Sequence, residues 1–136
     1  MSAYCITRFN CLSTTALLLV LAYASFARAA DVKDALEAGW GGERRCEKLD
    51  EDEYIRVLRC TFPPNVGHER HSHPASFLYV LNGGQVRMTD ATGTREAEAK
   101  SDQYRTTEPI EWHEGLNVGD TTLRVLIVEK KYQTDR

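Results

Sequence analysis

The chain has 136 residues and a formal net charge of −3, so its length is that of one domain. The acidic balance argues against a nucleic-acid partner, because phosphate binding requires a basic surface. The N-terminal residues are unlike the rest of the chain. Arg8 precedes an uncharged, apolar run from Leu12 to Ala27, and Ala27-Arg28-Ala29 supplies the small residues that a signal peptidase accepts.

We therefore predict a cleavable signal peptide over residues 1–29 and a secreted or periplasmic protein. A retained membrane anchor is the alternative, but the apolar run of 16 residues is shorter than the about 20 that a membrane-spanning helix requires. No stable membrane anchor is expected after cleavage. Cleavage removes two of the 17 basic residues and none of the 20 acidic residues, which changes the net charge to −5.

Residues 30–43 are predicted to form a flexible leader to the domain. A short helix over residues 31–38 is the alternative, since Asp31 is a good N-cap and Gly39 a good helix end. From Arg44 onward the chain reads as short strands separated by turns, with strong alternation or apolar runs at 53–62, 76–81 and 122–128. This pattern predicts an all-β domain, an antiparallel sandwich or barrel over residues 44–131, followed by a polar tail at 132–136.

Two cysteines, Cys46 and Cys60, belong to the predicted domain. An oxidising compartment would permit a disulfide bond between them. A hairpin that turns near Asp50–Asp52 places Cys46 opposite residue 56 or 57, however, and a bond to Cys60 then requires a different register. Both interpretations, a disulfide bond and two separate strand cysteines, remain open from the sequence.

Three of the four histidines form the most informative pattern. Residues two apart in a strand share a face, so the imidazoles of His71 and His73 point the same way, and Pro74 ends their strand. His113 comes forty residues after His73, and a sheet that closes into a barrel can bring it opposite the pair. The sequence thus predicts a three-histidine site for a divalent transition metal ion. His68 is expected on the opposite face, at the surface.

The segments around these histidines resemble the two motifs of the cupin superfamily. HSHPASFLYVLNGG carries His71, His73 and the closing glycines, and EPIEWHEGLNVGD carries His113 and Asn117 with the spacing of the second motif. The likeness is greatest to small, single-domain, exported cupins and covers about residues 44–131. It implies a small jelly-roll β-barrel with a metal site, a small-molecule ligand and, as in many cupins, a homodimer.

The first motif departs from the family pattern at one metal ligand. The resemblance implies a glutamate at position 76 or 77, where this chain has Ser76 and Phe77. Glu69 lies two residues before His71 and is a candidate replacement as fourth ligand. The alternative for Glu69 is an exposed charge at the mouth of the barrel. The second motif also differs, with Ile110 in place of a family glycine.

Three neutral imidazoles suit Zn, Cu, Ni, Fe or Mn, and the lost carboxylate favours Zn, Cu or Ni over harder ions. Three protein ligands leave a position open to water or a substrate. The resemblance therefore implies an oxygenase or isomerase acting on a small molecule. The alternatives are a non-catalytic module that binds a small ligand or the metal, and a structural barrel with relic histidines. No feature of the sequence identifies a substrate.

The pocket above the metal is predicted to contain aromatic side chains. Phe77 and Tyr79 share one strand face, and Tyr104 lies on a later strand. If these faces point inward, the two tyrosine hydroxyls are candidates for contacts with the ligand. Packing in the core is the alternative for Phe77.

Overall fold

The computed structural model describes residues 32–132. This part of the chain contains twelve strands and no helix. The strands are β1 Lys33–Asp34, β2 Gly39–Trp40, β3 Glu43–Arg44, β4 Cys46–Glu51, β5 Ile55–Phe62, β6 Gly67–His73, β7 Ser76–Asn82, β8 Gly84–Asp90, β9 Gly93–Ala99, β10 Tyr104–Thr107, β11 Ile110–Asn117 and β12 Leu123–Lys130. The predicted signal peptide and most of the predicted tail lie outside the described residues. Within them, no helix meets the length and apolarity needed to cross a membrane.

Ten of these strands form two five-stranded sheets. One sheet has the order β1-β6-β11-β8-β9 and the other the order β10-β7-β12-β5-β4, while β2 and β3 pair separately. All neighbours are antiparallel except β1 and β6. From β5 to β8 and again from β9 to β12 the chain passes repeatedly between the two sheets, so both contribute to one interior. The all-β, antiparallel fold expected from the sequence is confirmed.

The interior rows follow the alternation of the strands. In β12 every second residue is buried, so Leu123, Val125 and Ile127 face the core while the residues between them do not. Leu58 on the neighbouring β5 is fully buried against this row. The fourth inward position of β12 is Glu129, which is only 1% exposed. A buried carboxylate at the end of an apolar row requires partners, and these lie on the neighbouring β5 and on β6 of the opposite sheet.

Cys46 and Cys60 form a disulfide bond in the structure. The register predicted from the sequence was wrong: Cys46 lies opposite Cys60, because the hairpin turns at residues 52–54 rather than near Asp50–Asp52. The Asp52 carboxylate sets this later turn by accepting hydrogen bonds from the backbone N–H groups of Tyr54 and Ile55. A register shift between Lys48 and Asp50 then brings the two cysteines level.

The N-terminal segment departs from both expectations for it. No helix covers residues 32–38; instead Lys33–Asp34 adds a parallel strand to the edge of β6. Ala35 and Ala38 are fully buried, so this part of the expected leader is packed into the domain. A helix of about eight residues is marginal on its own, whereas the edge of β6 offers partners for the same backbone groups.

Candidate metal centre

The structure brings His71, His73 and His113 together at the interior face of one sheet. His71 lies on β6 directly opposite His113 on β11, and His73 follows two residues later on β6. The Nε2 atom of His71 lies 3.0 Å from Nε2 of His73 and 2.9 Å from Nε2 of His113. One ring nitrogen from each residue lies within 4.8 Å of the others. His71 and His73 are 2% and 7% exposed, so little water reaches their ring nitrogens.

The outer nitrogens of two rings determine where their hydrogens lie. His71 Nδ1 is 2.6 Å from the carbonyl oxygen of Glu69, and His73 Nδ1 is 2.6 Å from Oε1 of Glu129. Both oxygens are acceptors, so each Nδ1 carries the hydrogen and donates it. The Nε2 atoms of His71 and His73 therefore present lone pairs to one another across 3.0 Å. Such an arrangement is unfavourable unless a cation lies between the nitrogens.

Protons are poor candidates for that cation. Burial lowers the pKa of His71 to about 2 and that of His113 to about 3, and the neighbouring histidines add to both effects. The rings of His71 and His113 are consequently neutral near pH 7, which is the form that binds a metal ion. Nitrogens bound at about 2.0–2.1 Å to a tetrahedral ion lie about 3.3 Å apart, close to the separations of 3.0 and 2.9 Å between His71 Nε2 and the Nε2 atoms of His73 and His113. The donor set fits a divalent transition metal ion.

A chain of charged side chains, of which Glu129 is buried and Arg56 and Asp34 are partly buried, supports His73 from behind. The second oxygen of Glu129 accepts a hydrogen bond from Arg56 Nε at 2.7 Å, and Arg56 Nη2 donates to Asp34 Oδ2 at 2.6 Å. The Arg56 and Glu129 side chains are 18% and 1% exposed. Asp34 of β1 thus positions Arg56, Arg56 positions the carboxylate of Glu129, and this carboxylate fixes the orientation of the His73 ring. Partners of this kind orient metal-binding imidazoles and raise their basicity.

His68 is buried, and its expected surface position was wrong. The pairing of β6 with β11 shifts by one residue between His113 and Gly115, which leaves an extra residue in β6 at Glu69–Arg70. This bulge reverses the alternation, so His68 shares the inward face with His71, and the two ring centroids lie 3.7 Å apart. His68 Nε2 donates to the carbonyl oxygen of Ala35 at 3.0 Å. It does not belong to the three-histidine group.

The same bulge turns Glu69 away from the metal centre. Its carboxylate lies 3.4 Å from Lys33 Nζ, and its side chain is 43% exposed. Glu69 contributes its carbonyl oxygen, the acceptor for His71, rather than its carboxylate. The structure therefore does not bring the expected fourth ligand to the three histidines.

Ser76 occupies the inward position at which the cupin likeness implies a glutamate. It is 4% exposed and lines the central cavity, whereas Phe77 points away from it. The Ser76 hydroxyl lies 2.9 Å from the hydroxyl of Thr107. A neutral hydroxyl pair thus takes the place of a carboxylate, and the three histidines are the complete group of candidate ligands in residues 32–132.

The two sheets enclose a cavity of about 230 Å³ next to the histidines. His71, His73 and His113 line it together with apolar side chains from both sheets, among them Leu78, Val86 and Ile110. An open position on a bound metal ion would face this cavity. The cavity can therefore hold a small molecule at the metal.

Two of the three aromatic residues expected in the pocket face outward. Phe77 and Tyr79 lie on the outer face of β7, where Phe77 is 36% exposed and the Tyr79 hydroxyl donates to Asp102 at 2.7 Å. The inward residues of β7 are Ser76, Leu78 and Val80. Because β7 is apolar on both faces, the alternation pattern alone could not assign its inward side. Tyr104 does contribute to the cavity lining, although it is 68% exposed.

Sequence reasoning missed the supporting residues Glu129, Arg56 and Asp34. The sequence did contain one signal for Glu129. It lies two residues after Ile127 and four after Val125, at a position of β12 where the alternation predicts a buried residue rather than an exposed charge. Arg56 and Asp34 gave no comparable signal, because their contacts depend on how β1 joins β6 and how β5 pairs with β12.

No protein-family model and no curated protein sequence matches the chain. Solved structures of cupins do match in fold. A cupin domain from Bordetella pertussis has a TM-score of 0.61 at 18% identity, over 69% of this chain and 95% of that one. The polyketide cyclase RemF from Streptomyces resistomycificus has a TM-score of 0.55 at 20% identity, over 75% of both chains. A cupin-like protein from Thermotoga maritima has a TM-score of 0.52 at 20% identity, over 63% of this chain and 67% of that one. The chain therefore has the cupin fold.

Proposed function

We propose that this protein binds a divalent transition metal ion through His71, His73 and His113 and acts on a small molecule at the open position of that ion. The observation that carries the proposal is the convergence of the ring nitrogens, with two Nε2 lone pairs facing each other across 3.0 Å. Neutral imidazoles in this arrangement favour Zn, Cu or Ni, and also accept Fe or Mn.

The rest of the site suits chemistry on a bound molecule. Three protein ligands leave room for a further ligand, as in catalytic rather than closed structural sites. The metal ion would act there as a Lewis acid that polarises an oxygen of the substrate. The protein holds the imidazoles in place through Glu129 and the Glu69 carbonyl, and most of the cavity wall beside them is apolar. An oxygenase or isomerase reaction on a small molecule is consistent with this arrangement.

Metal analysis of the protein purified without a histidine tag tests the proposal. We expect about one ion per chain in the wild type and none in the His71→Ala, His113→Ala double variant. Glu69→Gln is the matched control, because its exposed carboxylate lies two residues from His71 but outside the ligand group. Equal metal content in the wild type and the double variant would refute the metal site.

A non-catalytic binding module is the second candidate. It is favoured by the absence of a carboxylate from the ligand group in the described chain, where Ser76 and Thr107 offer only hydroxyls. Metal-dependent turnover of any substrate would exclude it. Tight binding of small molecules without turnover, in metal-loaded protein, would favour it.

We also propose that the protein is exported after cleavage behind Ala29. The Cys46–Cys60 bond supports export, because such bonds persist mainly in oxidising compartments. Expression of the full chain in a bacterial host should yield extracytoplasmic protein whose mass corresponds to a chain that begins at Ala30. Recovery of only the uncleaved, cytoplasmic chain would contradict this part of the proposal.

A further inference from the structure

Arg105 is a charged residue of the cavity wall that the metal site does not use. It lies on β10 opposite Leu78 of β7, and both side chains line the cavity. The next inward pair along the same two strands is Thr107 opposite Ser76. Arg105, Ser76 and Thr107 therefore lie on the same face of the two strands, with Arg105 at an exposed position of the cavity wall.

The other charged side chains of the cavity wall have partners, whereas Arg105 has none in residues 32–132. Arg95 pairs with Asp90 at 2.6 Å, and Glu98 lies 4.0 Å from Lys100. A cation in the wall of the cavity that the histidines line is thus left without a counter-charge from residues 32–132.

The hydroxyl pair adds a hydrogen-bond donor to this surface. Ser76 Oγ and Thr107 Oγ1 are 2.9 Å apart, and one hydroxyl hydrogen suffices for the bond between them. The second hydrogen remains for a ligand. Ser76 is 4% exposed, so water competes poorly for that donor.

The charge balance of the loaded site favours an anion. Three neutral histidines leave the positive charge of a divalent ion uncompensated, and Arg105 adds a further positive charge. The carboxylate of Glu129, which His73 contacts, is already shared with Arg56, and that of Asp90, opposite His113, pairs with Arg95. The protein supplies hydroxyls where the cupin likeness implies a carboxylate, so a ligand can supply the missing negative charge.

We propose that Arg105, Ser76 and Thr107 bind the carboxylate of a small organic acid whose apolar body fills the cavity. This inference rests on the proposed function and names its substrate class. Cavity size limits the apolar body: a cavity of about 150 Å³ holds benzene, so about 230 Å³ holds one ring with short substituents. Guanidinium–carboxylate hydrogen bonds are charge-assisted and therefore discriminate strongly between an acid and its amide.

Calorimetric titration of zinc-loaded protein with benzoate and with benzamide tests the inference. The two probes share size and shape but differ in charge. We expect the wild type to bind benzoate about tenfold or more tightly than benzamide. Arg105→Gln should remove most of this preference. Arg124→Gln is the matched control, because Arg124 lies between the cavity-lining residues Leu123 and Val125 and so on the outer face; it should retain the preference.

Equal binding of the two probes, no binding of benzoate, or equal losses in the two arginine variants would overturn the inference. The zinc content of each sample and a parallel titration of zinc-free protein keep the metal function separate. If the wild type failed to bind zinc while Arg105→Gln still weakened benzoate binding, the proposed metal function would be refuted and the proposed anion site would be supported. If all variants bound zinc and Arg105→Gln had no effect on benzoate binding, the anion site would be refuted and metal binding would be supported.

Discussion

The inward rows of β12 and β6 face the same cavity from opposite sheets, yet they differ in chemistry. Their residues are Leu123, Val125 and Ile127 on β12, and His68, His71 and His73 on β6. The β12 row is apolar and stabilises the fold by its burial. The β6 row buries imidazoles, which lowers stability unless their nitrogens are bound. The sheet of β12 thus provides most of the buried apolar core, and the sheet of β6 provides the three histidines.

The largest effect on folding is expected in the apolar row and its neighbours. Leu58→Ala removes a fully buried side chain that packs in the core cluster with Val125 and Ile127, so it should lower the free energy of unfolding by about 2–5 kcal/mol. Urea unfolding measures this loss. Leu49→Ala, at a position 45% exposed, should change stability by less than about 0.5 kcal/mol. The folded Leu58→Ala protein should still bind one metal ion, and loss of binding would contradict the division between the sheets.

The histidine row should respond in the opposite way. His71→Ala should weaken metal binding by more than the about 10- to 100-fold typical for loss of an outer partner, because His71 contacts both other candidate ligands. The stability of the metal-free variant should fall by less than that of Leu58→Ala. Competition with a chromogenic chelator gives the affinity, and urea unfolding gives the stability. Wild-type affinity in His71→Ala would exclude it as a ligand.

Glu129 joins the two rows, and its neutralisation should have an intermediate effect. Glu129→Gln keeps the size of the side chain but removes the charge that His73 and Arg56 share. Metal affinity should fall about 10- to 100-fold. The control is Glu47→Gln, whose partner Arg59 lies on the outer surface; the same chelator competition should show no change there. Equal metal affinities in Glu129→Gln and Glu47→Gln would show that Glu129 does not stabilise the metal site.

The smallest effect near neutral pH concerns the metal-free protein. The pKa values of His71, His113 and His68 are lowered by burial to about 2, 3 and 4, whereas unfolded histidine has a pKa of about 6.5. As pH falls below 6.5 the unfolded chain takes up protons first, so stability present above pH 6.5 is lost progressively down to the folded pKa values of about 4 to 2. Urea unfolding at several pH values measures this loss.

Two comparisons sharpen the pH prediction. His113→Gln should flatten the dependence of stability on pH, because one imidazole no longer binds a proton on unfolding. Bound zinc should raise stability at pH 7.5, and this gain should shrink as pH falls, since protons compete for the ligands. Stability that stays constant between pH 7.5 and 5 would show that the three imidazoles are not buried in neutral form.

The sequence predicted most of the fold because its longest strands alternate or are uniformly apolar. Alternation also placed His71 and His73 on one face, and the motif likeness added His113. Sequence-based prediction failed where the strands depart from regular alternation. The bulge at Glu69–Arg70 buries His68 and turns Glu69 outward. No pattern in the sequence predicts this bulge.

Two further differences have the same origin in local geometry. The turn set by Asp52 moved the hairpin register and brought Cys46 opposite Cys60. Because both faces of β7 are apolar, the sequence did not determine whether Phe77 faces the interior or the surface. The charge chain from Asp34 to Glu129 depends on pairings between distant strands, which a single sequence does not specify.

X-ray absorption spectroscopy of the metal-loaded, untagged protein tests the central claim most directly, because it reports the atoms bound to the ion. We predict three imidazole ligands with metal–nitrogen distances of about 2.0–2.1 Å for zinc, the remaining donors being oxygen from solvent or a ligand. The imidazole signal should disappear in the His71→Ala, His113→Ala variant. A spectrum of the wild type with sulfur donors, or with fewer than three imidazoles, would contradict the assignment of His71, His73 and His113 as the metal site.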